Sequence, residues 1–394
     1  MKSIIVDLGS SSIKLGFNNE ENPKYELPSY IGETYEQIID GKIIKNENKK
    51  YIGSSCDELI NNLKLYYPIK NGYFTNPDDI NIIFDYLFKK LGLNSAQDIS
   101  TNNILITEPL FSYGKNKKNI SEILFEKMNI PSILFAPQPF LSFLGTGKTT
   151  GTVLESGDMM TQTCVIMDGY PIPKTFLRFN YGGKNVTKYL FNLLRKKGYF
   201  NHNRNNYEIV KKIKEKFSCT RDYKEEKESE ENFSYELPDE TKIIIGEERR
   251  FCPYSIFDEK LLGKENLKMD KMICNSINNA DINLSLKLYD DILLSGGNTL
   301  IKGFRETLYK DIQSNFNKNI KVRLFTQKNP QNCCWIGGKV LSSIDNYKNM
   351  WITKEEWKEK GEKILQEIFH RKYYKDKTSF LLLLLFLFHQ VIHN

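Results

Sequence analysis

Short apolar runs alternate along this chain with segments whose apolar residues recur every three or four positions. Three of these runs have the length of buried strands, namely Ile4 to Val6, Thr152 to Leu154 and Asp291 to Leu294. The segments of longer period are typical of amphipathic helices. Strands that alternate with helices favour an α/β sheet over a helical bundle or a β-sandwich.

One amphipathic helix is predicted after Asn76. Asn76 can cap its first turn, Pro77 suits the first helical position, and Asp78 and Asp79 complement the positive end of the helix dipole. The apolar residues of one face are Ile80, Ile83, Phe84, Leu87, Phe88 and Leu91. We interpret this face as ordinary core packing.

Two turns with the same chemistry follow two of the strands. Asp7 to Lys14 and Glu155 to Thr161 each combine a carboxylate, a glycine and a hydroxyl before a second strand begins. Glycine lets the backbone approach a phosphate, free N–H groups point at its oxygens, and carboxylates can hold a hydrated divalent cation. A single turn of this kind is common in hairpins without a ligand. The pair predicts a duplicated phosphate clamp in a two-lobed nucleotide site.

A third segment, Asp291 to Thr299, reads as a buried strand that runs into two glycines. We predict that a helix follows over Leu300 to Ile312. In open α/β sheets, nucleotides bind in the crevice between such a strand and the next helix. This segment is therefore expected to contribute to the same site.

Length and charge limit the classes of function. The 394 residues are enough for two domains, because single cores stop growing at about 250 to 300 residues. The 56 basic and 49 acidic residues give a net charge of +7, and the charges are interleaved. Lysine-rich patches such as Lys115 to Lys118 are interpreted as solvated faces, because no aromatic platform or groove-reading helix accompanies them. We expect no direct nucleic-acid partner.

Cysteine usage and the first strand indicate the compartment. The seven cysteines are odd in number and show no Cys-x-x-Cys spacing, which fits a reduced intracellular compartment without a zinc site. Asp7 and Gly9 break the first apolar strand, so it does not resemble the core of a secretion signal. A location in the cytosol or nucleus is expected.

Several segments together resemble the actins and actin-related proteins, in order and at nearly the same spacing, over about residues 2 to 374. They are Ile4 to Phe17, Ile104 to Pro109, Gly147 to Asp158, Leu293 to Gly303 and Trp335 to Trp351. Other stretches are most similar to centractin, the actin-related protein of dynactin: Pro23 to Gly32, Leu194 to Tyr199, Glu208 to Lys211, Thr299 to Phe304 and an insertion at Lys224 to Glu231.

The resemblance implies the actin-like ATPase fold, an α/β architecture with two lobes, duplicated βαβ cores and a central nucleotide cleft. Lobe I would comprise residues 1–144 and 333–374, with an outer subdomain at about 32–67. Lobe II would comprise residues 145–332, with an outer subdomain at about 182–262. Gln138 would lie on the helix that crosses between the lobes as a hinge.

The resemblance also implies ATP or ADP as ligand, with Mg²⁺ (or Ca²⁺). Asp7 and Glu155 would hold the metal through water, and Gln138 and Glu155 would be the catalytic residues, with Gln138 orienting the attacking water. The remaining nucleotide contacts would come from Gly9, Ser10, Ser11, Lys14, Gly157, Asp158, Gly183, Lys214, Glu215, Gly296, Gly297 and Asn298. Taken alone, Lys14 could be an exposed strand lysine, Gln138 a helix cap, and Lys214 with Glu215 an ordinary charged helix face.

The chain departs from the family at several of these positions. Glu155 replaces an aspartate, and Met159 and Gln162 replace a glycine and a histidine near the scissile phosphate. We therefore expect binding to survive better than hydrolysis, because water positioning is set within about an ångström. Any ATPase activity would be weak. Gln331 and Asn332 replace a lysine and an aromatic residue that flank the base, and the lost stacking costs on the order of 1 kcal/mol.

The resemblance implies partners as well. A groove for partner helices would include Phe143, Gly147, Thr149, Tyr170, Ile344 and Met350, although ordinary packing between the lobes explains these residues equally well. The polar outer loop, Glu33 to Lys50, lacks the glycine and methionine pattern of actin, which favours a short or specialised filament.

The expected partners are further copies or other actin-family subunits, with dynein–dynactin-type or other cytoskeletal proteins. The alternative function is a structural subunit of a nuclear chromatin-remodelling complex. A sugar kinase or chaperone ATPase is disfavoured, because the chain has no room for a substrate-binding domain.

An apolar extension, residues 375–394, follows the family pattern. Its core, Phe380 to Phe388, is nine residues long and falls short of the ~20 that span a bilayer, so no membrane span is expected. An added helix that packs on the body and an erroneous downstream coding prediction are the main alternatives.

Overall fold

The structure of the chain is a computed structural model. It describes residues 2–34, 37–39, 42–44, 49–112, 114–200, 206–220, 233–237, 240–258, 260, 268–316 and 320–373. The insertion at 224–231, the extension at 375–394 and part of the outer loop at 33–50 lie outside the described residues.

The strands are β1 (Ser3–Leu8), β2 (Ser12–Phe17), β3 (Tyr25–Pro28), β4 (Ile31–Thr34), β5 (Gln37–Ile39), β6 (Lys42–Ile44), β7 (Lys50–Ile52), β8 (Leu63–Tyr66), β9 (Ile69–Lys70), β10 (Tyr73–Phe74), β11 (Asn103–Glu108), β12 (Ser132–Pro137), β13 (Gly151–Ser156), β14 (Thr161–Met167), β15 (Tyr170–Pro171), β16 (Leu177–Phe179), β17 (Phe233–Glu236), β18 (Lys242–Ile245), β19 (Ile292–Ser295), β20 (Leu324–Thr326) and β21 (Ile352–Thr353).

The α-helices are α1 (Asp78–Lys90), α2 (Ala96–Ser100), α3 (Lys115–Glu122), α4 (Gln138–Leu144), α5 (Gly183–Lys196), α6 (Asn206–Phe217), α7 (Glu248–Phe251), α8 (Met269–Asn278), α9 (Ser285–Tyr289), α10 (Phe304–Ser314), α11 (Cys333–Ser343), α12 (Lys354–Lys360) and α13 (Lys363–Tyr373). Short 3-10 helices cover Gly53–Asn62, Pro173–Thr175, Cys252–Ile256, Ile282–Leu284, Gly297–Leu300, Pro330–Asn332 and Asp345–Met350, and a π-helical turn covers Ile123–Lys127.

Two sheets with the same strand order form the centre of the molecule. The first has the order β21-β12-β11-β1-β2-β3, and the second has the order β15-β14-β13-β19-β20 with β16 also paired to β14. Each sheet contains an antiparallel hairpin, β1–β2 in the first and β13–β14 in the second. The first strand of each hairpin is followed across the sheet by two parallel strands, β11 and β12 in the first sheet and β19 and β20 in the second. The predicted α/β class with a duplicated core is confirmed.

Two helices pack between the sheets. Helix α4 leads from the first sheet into the second, and α11 crosses it so closely that a Cβ added at Gly337 would lie 1.7 Å from the carbonyl oxygen of Leu141. The surrounding core includes Ile5 of the first sheet, Val153 of the second and the buried Trp335, whose indole N–H donates to the backbone oxygen of Ile5 at 3.1 Å. Close packing of this kind needs glycine at the crossing point.

The structure confirms the predicted helix after Asn76. Helix α1 begins at Asp78, and the side-chain oxygen of Asn76 accepts a hydrogen bond from the Asp78 N–H at 3.1 Å. The predicted apolar face is buried in the core of the first sheet.

The predicted start of the helix over Leu300 to Ile312 is wrong. Gly303 has a left-handed backbone (φ 80°), and the helix begins after it at Phe304. Residues with a Cβ atom rarely adopt this backbone conformation. Gly303 therefore separates the turn at residues 297–300 from the helix. Leu300 and Ile301 are thereby free to face the cavity described below.

A small antiparallel sheet (β7-β4-β8) lies at the edge of the first sheet, within the predicted outer subdomain. It is tied to α1 by Asp79, which is fully buried and accepts hydrogen bonds from Lys50 and from the Tyr66 hydroxyl, both at 2.9 Å. Such partners offset part of the free-energy cost of burying a carboxylate.

Among the described helices, none is long and apolar enough to cross a membrane.

Candidate functional site

A cavity of about 360 Å³ lies where the hairpin turns of the two sheets face each other. Fourteen of the fifteen predicted site residues line it: Asp7, Gly9, Ser10, Ser11, Lys14, Gln138, Glu155, Gly157, Asp158, Lys214, Glu215, Gly296, Gly297 and Asn298. The remaining residue, Gly183, lies just behind the lining, because a Cβ added there would be 2.6 Å from the side-chain oxygen of Asn298 and 3.1 Å from the Lys214 nitrogen.

The first turn, between β1 and β2, is tight. The Gly9 N–H donates to the carbonyl of Asp7 at 3.1 Å, and a Cβ added at Gly9 would lie 2.4 Å from the backbone oxygen of Ser12. The buried Ser10 hydroxyl has no hydrogen-bond partner among the residues that the structure describes. Buried hydroxyls are normally bonded, so this one is available to a ligand in the cavity.

Asp7 is oriented from two directions. Its Oδ1 accepts from the Thr107 hydroxyl at 2.7 Å and from the Gln138 amide at 3.3 Å. The Lys14 ammonium stands 3.9 Å from Oδ2, and Lys14 is only 8% exposed. Lys14 is therefore not an exposed strand lysine, and its charge faces the cavity together with the carboxylate of Asp7.

Glu155 faces the same cavity from the second sheet. Its Oε2 accepts from the Ser142 hydroxyl at 2.6 Å. Burial raises the pKa of Glu155 from 4.5 to about 7, the Ser142 hydrogen bond opposes this shift, and the negative charge of Asp7 adds to it. Two carboxylates that repel each other across one cavity would be stabilised by a divalent cation.

The second and third turns are joined to each other. Asn298 donates through its amide nitrogen to the carbonyl of Gly157 at 2.6 Å and to the Ser156 hydroxyl at 3.0 Å. Gly296 has φ 90°, and a Cβ there would lie 2.3 Å from the backbone oxygen of Ser156. Asn298 thus fixes the turn that carries Gly157 and Asp158.

Helix α6 closes another side of the cavity. The buried Lys214 ammonium donates to the carbonyl of Gly183 at 3.3 Å. Burial lowers the pKa of Lys214, while the nearby carboxylate of Asp158 opposes that shift. An ammonium that is poorly solvated and only loosely bonded can interact with a polar ligand.

Several lining residues were missed from the sequence. They are Leu8, Ser12, Glu26, Met160, Ser218, Ser295, Leu300, Ile301 and Cys334. Ser218 could have been found, because it directly follows α6 and its N–H donates to the carbonyl of Lys214 at 3.0 Å, four positions earlier. Leu300 and Ile301 were missed because the sequence predicted them inside a helix, whereas that helix begins only at Phe304.

Gln138 is bonded to protein at both ends of its amide. Its nitrogen donates to Asp7 and to Thr107, each at 3.3 Å, and its oxygen accepts from the Gln162 amide at 3.3 Å. Gln162 is itself held by the Leu110 N–H at 2.6 Å. Both ends of the Gln138 amide are therefore already bonded to protein, and the buried side chain of Met159 also lines the cavity.

The predicted partner groove contains residues of different exposure. Phe143 and Met350 are buried in the core between the sheets, whereas Tyr170 is 47% exposed and its ring lies 6.5 Å from that of Tyr347. A role for this surface in partner binding stays a prediction.

Comparison with known proteins places these features in a family context. The family model described as Actin matches residues 1–372. A protein from Neurospora crassa named "Actin-like protein" is 33% identical over 381 residues, which cover 94% of this chain and 97% of that protein.

Proposed function

The chain belongs to the actin family, and on that premise we propose that it is a structural subunit that binds ATP or ADP together with Mg²⁺ (or Ca²⁺). The lobes would be those implied by the resemblance: 1–144 with 333–374, and 145–332. Nucleotide occupancy would set how far the lobes close, and closure would set the surface that neighbouring subunits contact.

One observation carries the proposal. The turns of two equivalent hairpins, from two different sheets, line a single cavity, with Asp7 and Glu155 facing it from opposite sheets. The Ser10 hydroxyl, which has no hydrogen-bond partner within the described part of the chain, and the mutual repulsion of the carboxylates support a ligand that supplies both an anion and a cation.

The division of roles follows from the chemistry of each side chain. Asp7 and Glu155 would hold the cation through water, since Mg²⁺ keeps most of its hydration shell. Ser10, Ser11, Lys14, Gly157 and Asp158 lie next to them along the lining and would contact the phosphates. The bound cation would neutralise charge that develops on the phosphates.

The base would lie between α6 and the third turn. Lys214 and Glu215 form one side of this part of the cavity, and Gly296, Gly297 and Asn298 form the other. Gly183 lies behind the lining, next to Lys214 and Asn298. The buried Gln331 oxygen, which has no hydrogen-bond partner among the described residues, is available to an exocyclic group.

Hydrolysis would be weak. The hydrogen bonds of Gln138 to Asp7, Thr107 and Gln162 would compete with the orientation of an attacking water. The protein would act mainly through binding and assembly.

We propose assembly into a short filament or a multiprotein complex of the centractin type. The partners would be further copies, other actin-family subunits, or dynein–dynactin-type and other cytoskeletal proteins. The location would be the cytoplasmic cytoskeleton, with the nucleus as the alternative for a chromatin-remodelling subunit.

The test begins with the nucleotide content of purified protein, measured with Mg²⁺ and after its removal by EDTA. We expect about one nucleotide per chain with Mg²⁺ and loss of most of it with EDTA. Asp7→Asn should lose nucleotide even with Mg²⁺, whereas the control Asp85→Asn, on the exposed face of α1, should not. Wild-type protein that holds no nucleotide under either condition would refute the proposal.

Two further measurements separate the alternatives. Sedimentation with Mg²⁺ and ATP, together with slow phosphate release, would support the filament. Retained nucleotide without pelleting or phosphate release would instead favour the nuclear scaffold, a role that the bonded state of Gln138 already fits.

A further inference from the structure

Two side-chain hydrogen bonds connect helix α6 to residues of the N-terminal part of the chain, on the other side of the cavity. The Lys211 ammonium donates to the Ser11 hydroxyl at 2.6 Å, and the Tyr67 hydroxyl donates to the carboxylate of Glu208 at 2.6 Å. Ser11 belongs to the first turn and Tyr67 follows β8, while Glu208 and Lys211 belong to α6. We name these four residues the α6 latch.

The Lys211 ammonium is held in place by contacts with the protein itself. It stands 5.7 Å from the centre of the Tyr67 ring, which suits a cation–π interaction. The Tyr67 ring also makes edge-on contacts with Tyr30 and Tyr207, at centroid distances of 6.0 and 6.4 Å. Burial and the charge of Glu208 raise the pKa of Tyr67, so its hydroxyl keeps its proton and remains a donor.

The spacing along α6 connects the latch to the cavity. Glu208, Lys211 and Lys214 or Glu215 are three to four residues apart and therefore share one face of the helix. Glu208 contacts Tyr67, and Lys211 contacts Ser11 of the first turn. Lys214 and Glu215 line the cavity. Separation of Ser11 from α6 would therefore widen the cavity between the first turn and the predicted base site.

We infer that Lys211 is a positioning residue that slows nucleotide release by joining α6 to the phosphate turn, with Tyr67 and Glu208 holding it in register. The inference rests on the proposed function, because it concerns release of the nucleotide that the cavity would bind. It assigns to Lys211 a role that does not require direct contact with the ligand.

The test is the dissociation rate of a fluorescent ATP analogue, measured by displacement with excess ATP in the presence of Mg²⁺. Lys211→Met keeps the apolar stem but removes the charge, and we expect dissociation to accelerate about tenfold. Tyr67→Phe removes one hydroxyl and should accelerate it about fivefold. Lys212→Met is the matched control, because Lys212 is exposed on the adjacent helix position.

Two readouts distinguish a latch from a general structural effect. The thermal unfolding of ligand-free Lys211→Met should match that of Lys212→Met, and Lys211→Arg should restore slow dissociation because it keeps charge and reach. Equal dissociation rates for Lys211→Met, Lys212→Met and wild type would overturn the inference while leaving the proposed function intact. Failure of wild-type protein to bind the analogue would overturn both.

Discussion

At the scale of residues, the site depends on how charged and hydroxyl groups are matched across the cavity. Asp7 accepts hydrogen bonds from Thr107 and Gln138 and faces the Lys14 ammonium, whereas the carboxylate of Glu155 accepts from the Ser142 hydroxyl and faces the charge of Asp7. The protein therefore compensates the charge of Asp7 more fully than that of Glu155. Two predictions concern single side chains of this site, Glu155 and Ser10.

The first concerns the pH dependence of stability in ligand-free, Mg²⁺-free protein. The pKa of Glu155 is raised from 4.5 to about 7 in the folded state, so its ionisation opposes folding. The stability that protonated Glu155 provides is complete below pH 4.5 and is lost as the pH rises through 7. Glu155→Gln should therefore match wild type at pH 4.5 and exceed it by about 3 kcal/mol at pH 8.

Denaturant unfolding at the two pH values measures this effect. Glu58→Gln, at an exposed position, is the control and should show no such divergence. A constant difference between Glu155→Gln and wild type across this pH range would contradict the assigned environment of Glu155.

The second residue-scale prediction concerns Ser10. Its hydroxyl is buried and has no hydrogen-bond partner among the described residues, so Ser10→Ala should leave ligand-free stability unchanged or slightly higher. Nucleotide affinity should fall about tenfold, because the hydroxyl would bond the phosphate. Equilibrium titration and thermal unfolding of the same sample measure both quantities. A loss of stability with unchanged affinity would show that Ser10 serves the fold instead.

At the scale of elements, the crossing of α4 and α11 connects the two sheets. Gly337 has no space for a side chain, because an added Cβ would lie 1.7 Å from the backbone oxygen of Leu141. At the next position, Gly338, the Cβ would meet the side chains of Ile5 and Leu105 at 2.9 and 3.2 Å. Side chains can shift more readily than a helix backbone.

Gly337→Ala should therefore cost about 3 kcal/mol or more of folding stability, and Gly338→Ala should cost less. The free energy of unfolding by denaturant is the measurement. Ser343→Ala, at the exposed end of α11, should stay within about 0.5 kcal/mol of wild type. Equal costs at positions 337 and 338 would contradict the close helix crossing.

Elements with a local signal could be predicted from the sequence, and contacts between distant residues could not. The cap and apolar face of α1 and the two carboxylate–glycine turns depend on neighbouring residues, and the structure places them as expected. Thr107 bonds Asp7 across 100 positions, and Gln162 bonds Gln138 across 24. No local pattern distinguishes such residues from other buried polar groups. The predicted start of α10 was wrong because the left-handed backbone of Gly303 interrupts an otherwise helical sequence pattern.

At the scale of the whole molecule, two equivalent sheets present equivalent turns to one cavity, and α4 with α11 forms the packed connection between them. A ligand that contacts both turns would bind more tightly when the two sheets are close together, so its binding would change their relative position. That coupling is how an actin-family subunit of this design would report its nucleotide state to a neighbour.

Hydrogen exchange of backbone amides, with and without Mg²⁺ and ATP, tests this coupling most directly. The account predicts that peptides covering residues 7–14 and 155–161 both become protected when nucleotide and Mg²⁺ are added together. Peptides from α12, whose residues do not line the cavity, serve as the internal reference and should not change. Protection of only one of the two turns, or of neither, would contradict a site held from both sheets.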